Sequence, residues 1–378
     1  MYVVKSVAKT VLLNVNDLIC KTYIKLLCDK QDINPEFVFI ESAQIGDFII
    51  KLPFYLELIN KYSQKKKTIL TTSKILLPLI RLLLPSFSFR LIDIRNFIYN
   101  PIYRYKFLSS FPKCEKVVVS SPFRPAYHIF LARWLCAQEK YIYSGEKIHL
   151  EDTTYKFDSY FTVIKNPFIL EKRNIDAHIY RHISTFLSQV FSIEVNNTRE
   201  AFSNILKKFK KRCSNYIVIL TDASHSYRLY NPDNWQIILN NLPKNLKIIQ
   251  LGLNKFPLQH PNLIDLTGKT SLEEAMVIII NASLVIGVET GLTHLAYLSG
   301  VPTVCILGGG HFGRFLPWPE FEDIVKCVYK PMDCFQCGWK CKYGNLQKGE
   351  VPPCILQIPP ESVLKAIEKL NKEYKFFR

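Results

Sequence analysis

Four short apolar runs in the second half of the chain limit the kind of fold it can adopt. Tyr216–Leu220 (YIVIL), Leu246–Leu251 (LKIIQL), Leu284–Val288 (LVIGV) and Thr303–Leu307 (TVCIL) are too short for helices and too apolar for a sheet with one wet face. Between them lie helical patterns at Pro232–Asn240, Ser271–Asn281 and Thr290–Ser299. Strand, helix, strand in this rhythm predicts a parallel sheet covered by helices. Ligands of such sheets bind beyond the carboxyl ends of the strands, so the residues just after each run are the first candidates for function.

The first half repeats the rhythm less clearly. Phe37–Glu41 (FVFIE) reads as a strand, followed by a tight loop and an amphipathic segment to Tyr62. Further strands are expected at Thr68–Thr72, Phe89–Ile94 and Lys116–Val119, with a helix at Tyr127–Ala137. A length of 378 residues suits two domains. The expected division is 1–190, including a helical leader at 1–35, and 191–378. Glu151–Ile193 is the crossover and Arg199–Arg212 a basic helix. Two Rossmann-like halves then face each other across a cleft. The last helix, Pro360–Tyr374, starts at a proline and is expected to pack back on the first half.

Charge points to anionic partners. Lys and Arg total 49 against 32 acids, a net +17, and between Leu58 and Gln138 the only acids are Asp93 and Glu115. Nucleic acid, an anionic membrane surface and phosphorylated substrates all fit such an excess, as does a plain solvated face. No nucleic-acid reader motif with interleaved aromatics is present, so nucleic acid is not the expected partner. The N-terminal residues lack the pattern of a secretory signal, which makes a reducing cytoplasm the expected home. The run Ile75–Leu84 contains Pro78 and Arg81 and reads as a buried helix rather than a membrane-surface one. Cys334, Cys337, Cys341 and Cys354 are spaced C-x2-C-x3-C-x12-C. A structural metal, reduced thiols and disulfides all remain open for them.

The segment with most chemistry is Leu284–Gly310. A strand ends at Glu289 and a helix begins at once through Thr290 and Gly291, so the first helical N–H groups point beyond the sheet and favour an anion. Glu289 suits sugar or ribose hydroxyls. His294 is either a donor to phosphate or a satisfied core histidine. Asp47, on the Gln44–Asp47 loop after the first strand, is either a general base or a helix N-cap. Ser224 and Arg228 follow the YIVIL strand, and Arg228 could meet a diphosphate. Gly308–Gly310 with His311 and Arg314 suits a phosphate or sugar lid.

Glu289–Ala296 (ETGLTHLA) followed by Gly300–Val304 (GVPTV) resembles the D-[ST]-G-x-x-H-x-A-x-x-x-G-x-P signature of glycosyltransferase family nine, the heptosyltransferases of lipopolysaccharide assembly. Glu289 departs from the usual Asp. Leu266–Leu272 matches the family's G-x-x-S-L run, and Ile45-Gly46-Asp47 with Pro53 resembles its I-G-D loop, whose Asp is the proposed base. Leu220–Asn234 resembles a loop with Lys-x-W-P, and Arg228 stands at the Lys. The resemblance implies a GT-B-like α/β fold, with the acceptor bound by the first half and the nucleotide sugar by the second. It also implies an inverting, metal-independent transfer without cofactor. Asp47 is the implied base. Ser224, Arg228, Glu289, Thr290, Gly291, His294, His311 and Arg314 are the implied donor-binding residues. ADP-heptose is the favoured donor. The implied acceptor is a membrane-anchored glycolipid of lipopolysaccharide or a related surface glycan, reached from the cytoplasmic face of the inner membrane. Transfer to another glycan, nucleotide-sugar epimerisation and an inactive glycan-binding relative are the alternatives.

Overall fold

The computed structural model describes residues 32–41, 45–120, 126–143, 162–164, 178–210 and 215–377. The expected leader therefore lies outside the described residues except at its end, where Asn34 and Pro35 already belong to the first strand. The strands of the first sheet are β1 (Asn34–Glu41), β2 (Lys66–Thr71), β3 (Ser88–Leu91), β4 (Cys114–Val119), β5 (Ala137–Tyr143) and β6 (Thr162–Ile164). Those of the second are β7 (Tyr216–Leu220), β8 (Lys247–Leu251), β9 (Leu263–Asp265), β10 (Leu284–Val288), β11 (Thr303–Ile306) and β12 (Val325–Val328). Every pairing within them is parallel.

The orders are β3-β2-β1-β4-β5-β6 and β12-β11-β10-β7-β8-β9. Both are the doubly wound arrangement, in which the chain reverses direction between β1 and β4 and between β7 and β10. The β7/β10 crevice is where a ligand of the second sheet belongs.

In the first sheet alternation divides the core. Val38, Ile40, Leu70, Val117 and Val119 face a layer carrying Phe97, Leu108 and Leu131. Phe37 and Phe39 turn the other way, onto Tyr62 and Phe191 and onto Tyr55, Phe87 and Phe191 respectively. The Ile75–Leu84 run forms the helix Leu77–Leu83, with Leu79, Ile80 and Leu83 buried. In the second sheet Ile217, Ile219, Ile286, Val288, Val304 and Ile306 pack with Trp235 and Ile238.

Some expectations need correction. The helix expected at Tyr127–Ala137 ends at Trp134, and Ala137 opens β5. The basic helix at Arg199–Arg212 is Thr198–Leu206, followed by a 3-10 turn. The last helix, Pro360–Tyr374, buries Val363, Ile367 and Leu370 in the core of the second sheet, so its apolar stripe is used there.

The described residues gather into two compact units. One comprises the described parts of Met1–Ala43, Phe54–Ile169 and Ile183–Glu194; the other comprises the described parts of Gln44–Pro53, Leu170–His182 and Val195–Arg378. In place of one boundary at 190, the chain crosses several times. Residues 45–53, which include Asp47, group with the second sheet. Among the described residues no helix is long and apolar enough to cross a membrane.

Candidate functional site

The site grows out of the turn after β10. Thr290 caps the helix Gly291–Leu298, its hydroxyl accepting from the Thr293 N–H at 3.4 Å. Thr293 in turn donates its hydroxyl to the Val288 carbonyl at 2.6 Å, fixing strand to helix. The Thr290 side chain is thereby occupied by the cap. The N–H groups of Gly291 and Leu292 remain at the helix N-terminus, where the dipole favours an anion.

Gly291 also permits a close approach. A Cβ built there would lie 2.9 Å from the Gly46 nitrogen and 3.0 Å from the Ile45 Cβ; one built on Gly46 would lie 3.4 Å from the His294 Cδ2. The start of the helix Ile45–Ile50, whose first turn holds Asp47, therefore rests on the Thr290–His294 turn. Asp47 itself is buried. The two segments singled out in the sequence meet.

Glu289 is 4% exposed, with its Oε1 3.6 Å from the His294 Nε2, long for a hydrogen bond. Its Oε2 has no partner among the described residues. Burial alone would raise this carboxyl, but the contact with His294 and the nearby Arg228 charge outweigh it and hold the group below the usual carboxylate range. The His294 Nδ1 lies 3.0 Å from the Tyr297 hydroxyl. Burial keeps Tyr297 a phenol, its pKa well above the usual value. The tautomer with its proton on Nε2, facing Glu289, would accept from the Tyr297 hydroxyl at Nδ1.

Arg228 reaches the same place from the loop after β7. Its guanidinium lies 3.5 Å from the His311 Nδ1 and 5.6 Å from the centre of the Trp339 ring, while its Nε is buried without a partner among the described residues. His311 is held neutral: burial lowers its pKa to about 3, assisted by Arg314 and Arg228 and opposed by Glu289. Arg314 stacks along Phe315 at 5.4 Å. Ser224 is exposed on the Arg228 loop.

The glycine run does not present itself as a lid. Gly308, Gly309 and Gly310 are buried, and Cβ atoms there would come within 2.7 Å, 2.5 Å and 2.2 Å of Trp339, Phe335 and Trp339 respectively. These glycines admit aromatic rings. Cys334, Cys337, Cys341 and Cys354 are free thiols, and burial raises those of Cys337 and Cys354. The Cys354 sulfur accepts from the Gly309 N–H at 3.4 Å. Among the described residues no group of three or more His, Cys, Asp or Glu is arranged to hold a metal.

The strand ends thus gather a buried anionic oxygen, a cationic head and a helix N-terminus around one turn. A family model described as glycosyltransferase family 9 (heptosyltransferase) matches residues 187–343, which span this turn, the Arg228 loop and Cys334, Cys337 and Cys341. Over that stretch the chain is similar to this family. No curated protein matches the chain. Solved structures similar to this chain include Escherichia coli heptosyltransferase WaaC with ADP, at 13% identity and a TM-score of 0.60, covering 90% of this chain and 100% of that one. The E. coli ADP-heptose lps heptosyltransferase II is similar at 12% identity and 0.59, with 90% and 99% covered. A family 9 glycosyl transferase from Veillonella parvula DSM 2008 is similar at 16% and 0.61, with 90% and 99% covered. At these identities the likeness establishes the GT-B fold. Sequence reasoning missed Trp339, Tyr227 and Tyr297 in the candidate site. Trp339 was hidden within the cysteine spacing; Tyr297, three residues after His294, stood at a helical spacing that could have shown it.

Proposed function

We propose that the protein transfers heptose from ADP-heptose to a lipopolysaccharide or related surface-glycan acceptor, with inversion and without a metal. The observation that carries this reading is the seating of the Asp47 helix on the Thr290–His294 turn beside Glu289. A base and a site for the leaving diphosphate are then neighbours. In this reading Asp47 takes the proton from the acceptor hydroxyl as it attacks the anomeric carbon. Arg228 and the N–H groups of Gly291 and Leu292 bind the departing diphosphate, which gives its charge a home in the protein itself. Glu289, with one oxygen unpartnered, accepts from donor hydroxyls. His311, neutral and beside Arg228, holds that head; Arg314 adds positive charge nearby. An ADP-linked donor is supported by the ADP bound to WaaC. A glycolipid acceptor at the cytoplasmic face of the inner membrane is supported by the basic first half of the chain.

Incubation with ADP-heptose and a lipopolysaccharide-core acceptor, followed by mass analysis of the product, tests this. A heptose-mass gain supports the reading. Gain only with GDP- or UDP-sugars would keep the transferase and replace the donor. An isomerised nucleotide sugar without transfer would indicate an epimerase. Binding without any product would indicate a glycan-binding relative.

A further inference from the structure

An arginine that must meet a diphosphate cannot also be neutralised by a carboxylate, yet a long flexible head needs something to hold it. Arg228 meets both demands in an unusual way. Its head lies 3.5 Å from a neutral imidazole and 5.6 Å from the centre of an indole ring, and it also hydrogen-bonds the Tyr227 side chain. None of these three is an anion, while a cation over an indole face is held by the ring quadrupole.

The indole is itself fixed with some effort. Trp339 has a left-handed backbone, φ 62°, as does Gln336 at φ 66°, where side chains are rarely found. The loop that carries them is tied to the glycine run by the Gln336 N–H on the Gly309 carbonyl at 2.7 Å and the Gly338 N–H on the Gly310 carbonyl at 2.9 Å. The ring lies flush on Gly310, whose missing Cβ would sit 2.2 Å from its Cδ2. Its edges meet His311 at 5.7 Å and Tyr227 at 4.8 Å between ring centres. A tryptophan serving only to fill space would need neither the strained backbone nor the two glycines, Gly308 and Gly310, beneath it.

We infer that Trp339 is a positioning residue, whose indole holds Arg228 aimed at the donor diphosphate. The inference rests on the proposed donor role of Arg228. It gives the cysteine-bearing loop a function: that loop delivers Trp339 to the site.

The test is a double-mutant cycle read by ADP affinity, with GDP and UDP alongside. Trp339→Leu keeps bulk and loses the aromatic face, and should weaken ADP binding about 3- to 30-fold, the range of a partly desolvated cation–aromatic contact. Trp339→Phe should recover most of that loss. In an Arg228→Ala background, Trp339→Leu should cost nothing further, an outcome that a merely structural role does not produce. If Trp339→Leu does not fold, Gly310→Ala takes its place, displacing the indole without deleting it. Wild-type affinity in these variants, or equal losses with and without Arg228, would overturn the inference while leaving the donor site standing. Failure of the wild-type protein to bind any of the three nucleotides would instead remove the donor reading, and this inference with it.

Discussion

Two buried glutamates stand at matching places in the two sheets, and their surroundings differ. Glu41 ends β1 and Glu289 follows β10, each beside the point where its sheet reverses direction. Glu41 is 1% exposed and accepts hydrogen bonds from the Tyr55 hydroxyl and, at 3.3 Å, from Ser120. Glu289 is equally hidden, but one oxygen has no partner and the other only a long contact to His294. A satisfied buried carboxylate belongs to the architecture. One left short of partners is waiting for a ligand. Each sheet buries a glutamate at a strand end beside its switch point, and the second is the one left short of partners among the described residues.

The largest effect should come where the comparison is most exposed to failure, at Asp47, close after Glu41 in the chain but seated at the Glu289 turn. Asp47→Asn should lower turnover by about 10²–10⁴-fold and leave ADP-heptose affinity nearly unchanged. Undiminished turnover would mean that the end of β1 supplies no chemistry. Next is Glu289→Gln, which keeps shape and removes charge. Loss of charge-assisted bonds to donor hydroxyls should lower kcat/KM about 10- to 100-fold. Melting should hold or rise, because a buried, poorly paired charge has gone. Glu41→Ala should do the reverse. It strands the Tyr55 and Ser120 hydroxyls and should cost about 1–3 kcal/mol of stability in denaturant titration, with turnover per folded molecule retained. If the two glutamate variants exchanged phenotypes, the contrast drawn between the two edges would be wrong.

The second sheet was legible because its strands are continuous apolar runs bounded by capping residues. β7, β10 and the helix Pro232–Asn240 fall on the expected residues. β5 was not legible, since Ala137–Tyr143 (AQEKYIY) carries Gln, Glu and Lys that pair with neighbours such as Lys116 rather than showing a clean pattern. β9 and β12 are three and four residues long, below what periodicity can register. At the site, Glu289, Thr290 and Gly291 were legible because a strand running straight into a helix can do little else with its end. The burial of the glycine run under Phe335 and Trp339, and the seating of Gly46 on Gly291, depend on contacts between distant segments. No local pattern carries those. The membership of Gln44–Pro53 in the second unit was hidden for the same reason.

The smallest expected effect concerns pH and sharpens the contrast between the units. The site-bearing unit holds two histidines that burial keeps neutral, His178 and His311, each lowered from 6.5 to about 3. For His178 the hydrogen bonds show why. Its Nδ1 accepts from the Tyr180 N–H at 3.2 Å, and its Nε2 faces the Phe315 carbonyl at 2.8 Å, so the ring donates from Nε2 alone. A second proton would set two donors against each other. The unfolded chain takes up these protons near pH 6.5 and the folded chain does not, so their contribution to stability is complete above that pH and falls as pH drops toward 3. Between about pH 7 and about pH 5.5 the loss should be about 1 kcal/mol for each histidine. Glu289 does not contribute in this window, because its depressed carboxyl loses its charge only below the ordinary carboxylate range. Melting curves at the two pH values, for the wild type and for His178→Gln, should show a shallower decline in the variant. Equal declines would mean that His178 gains its proton without unfolding, and that the ring is less enclosed than its two hydrogen bonds require.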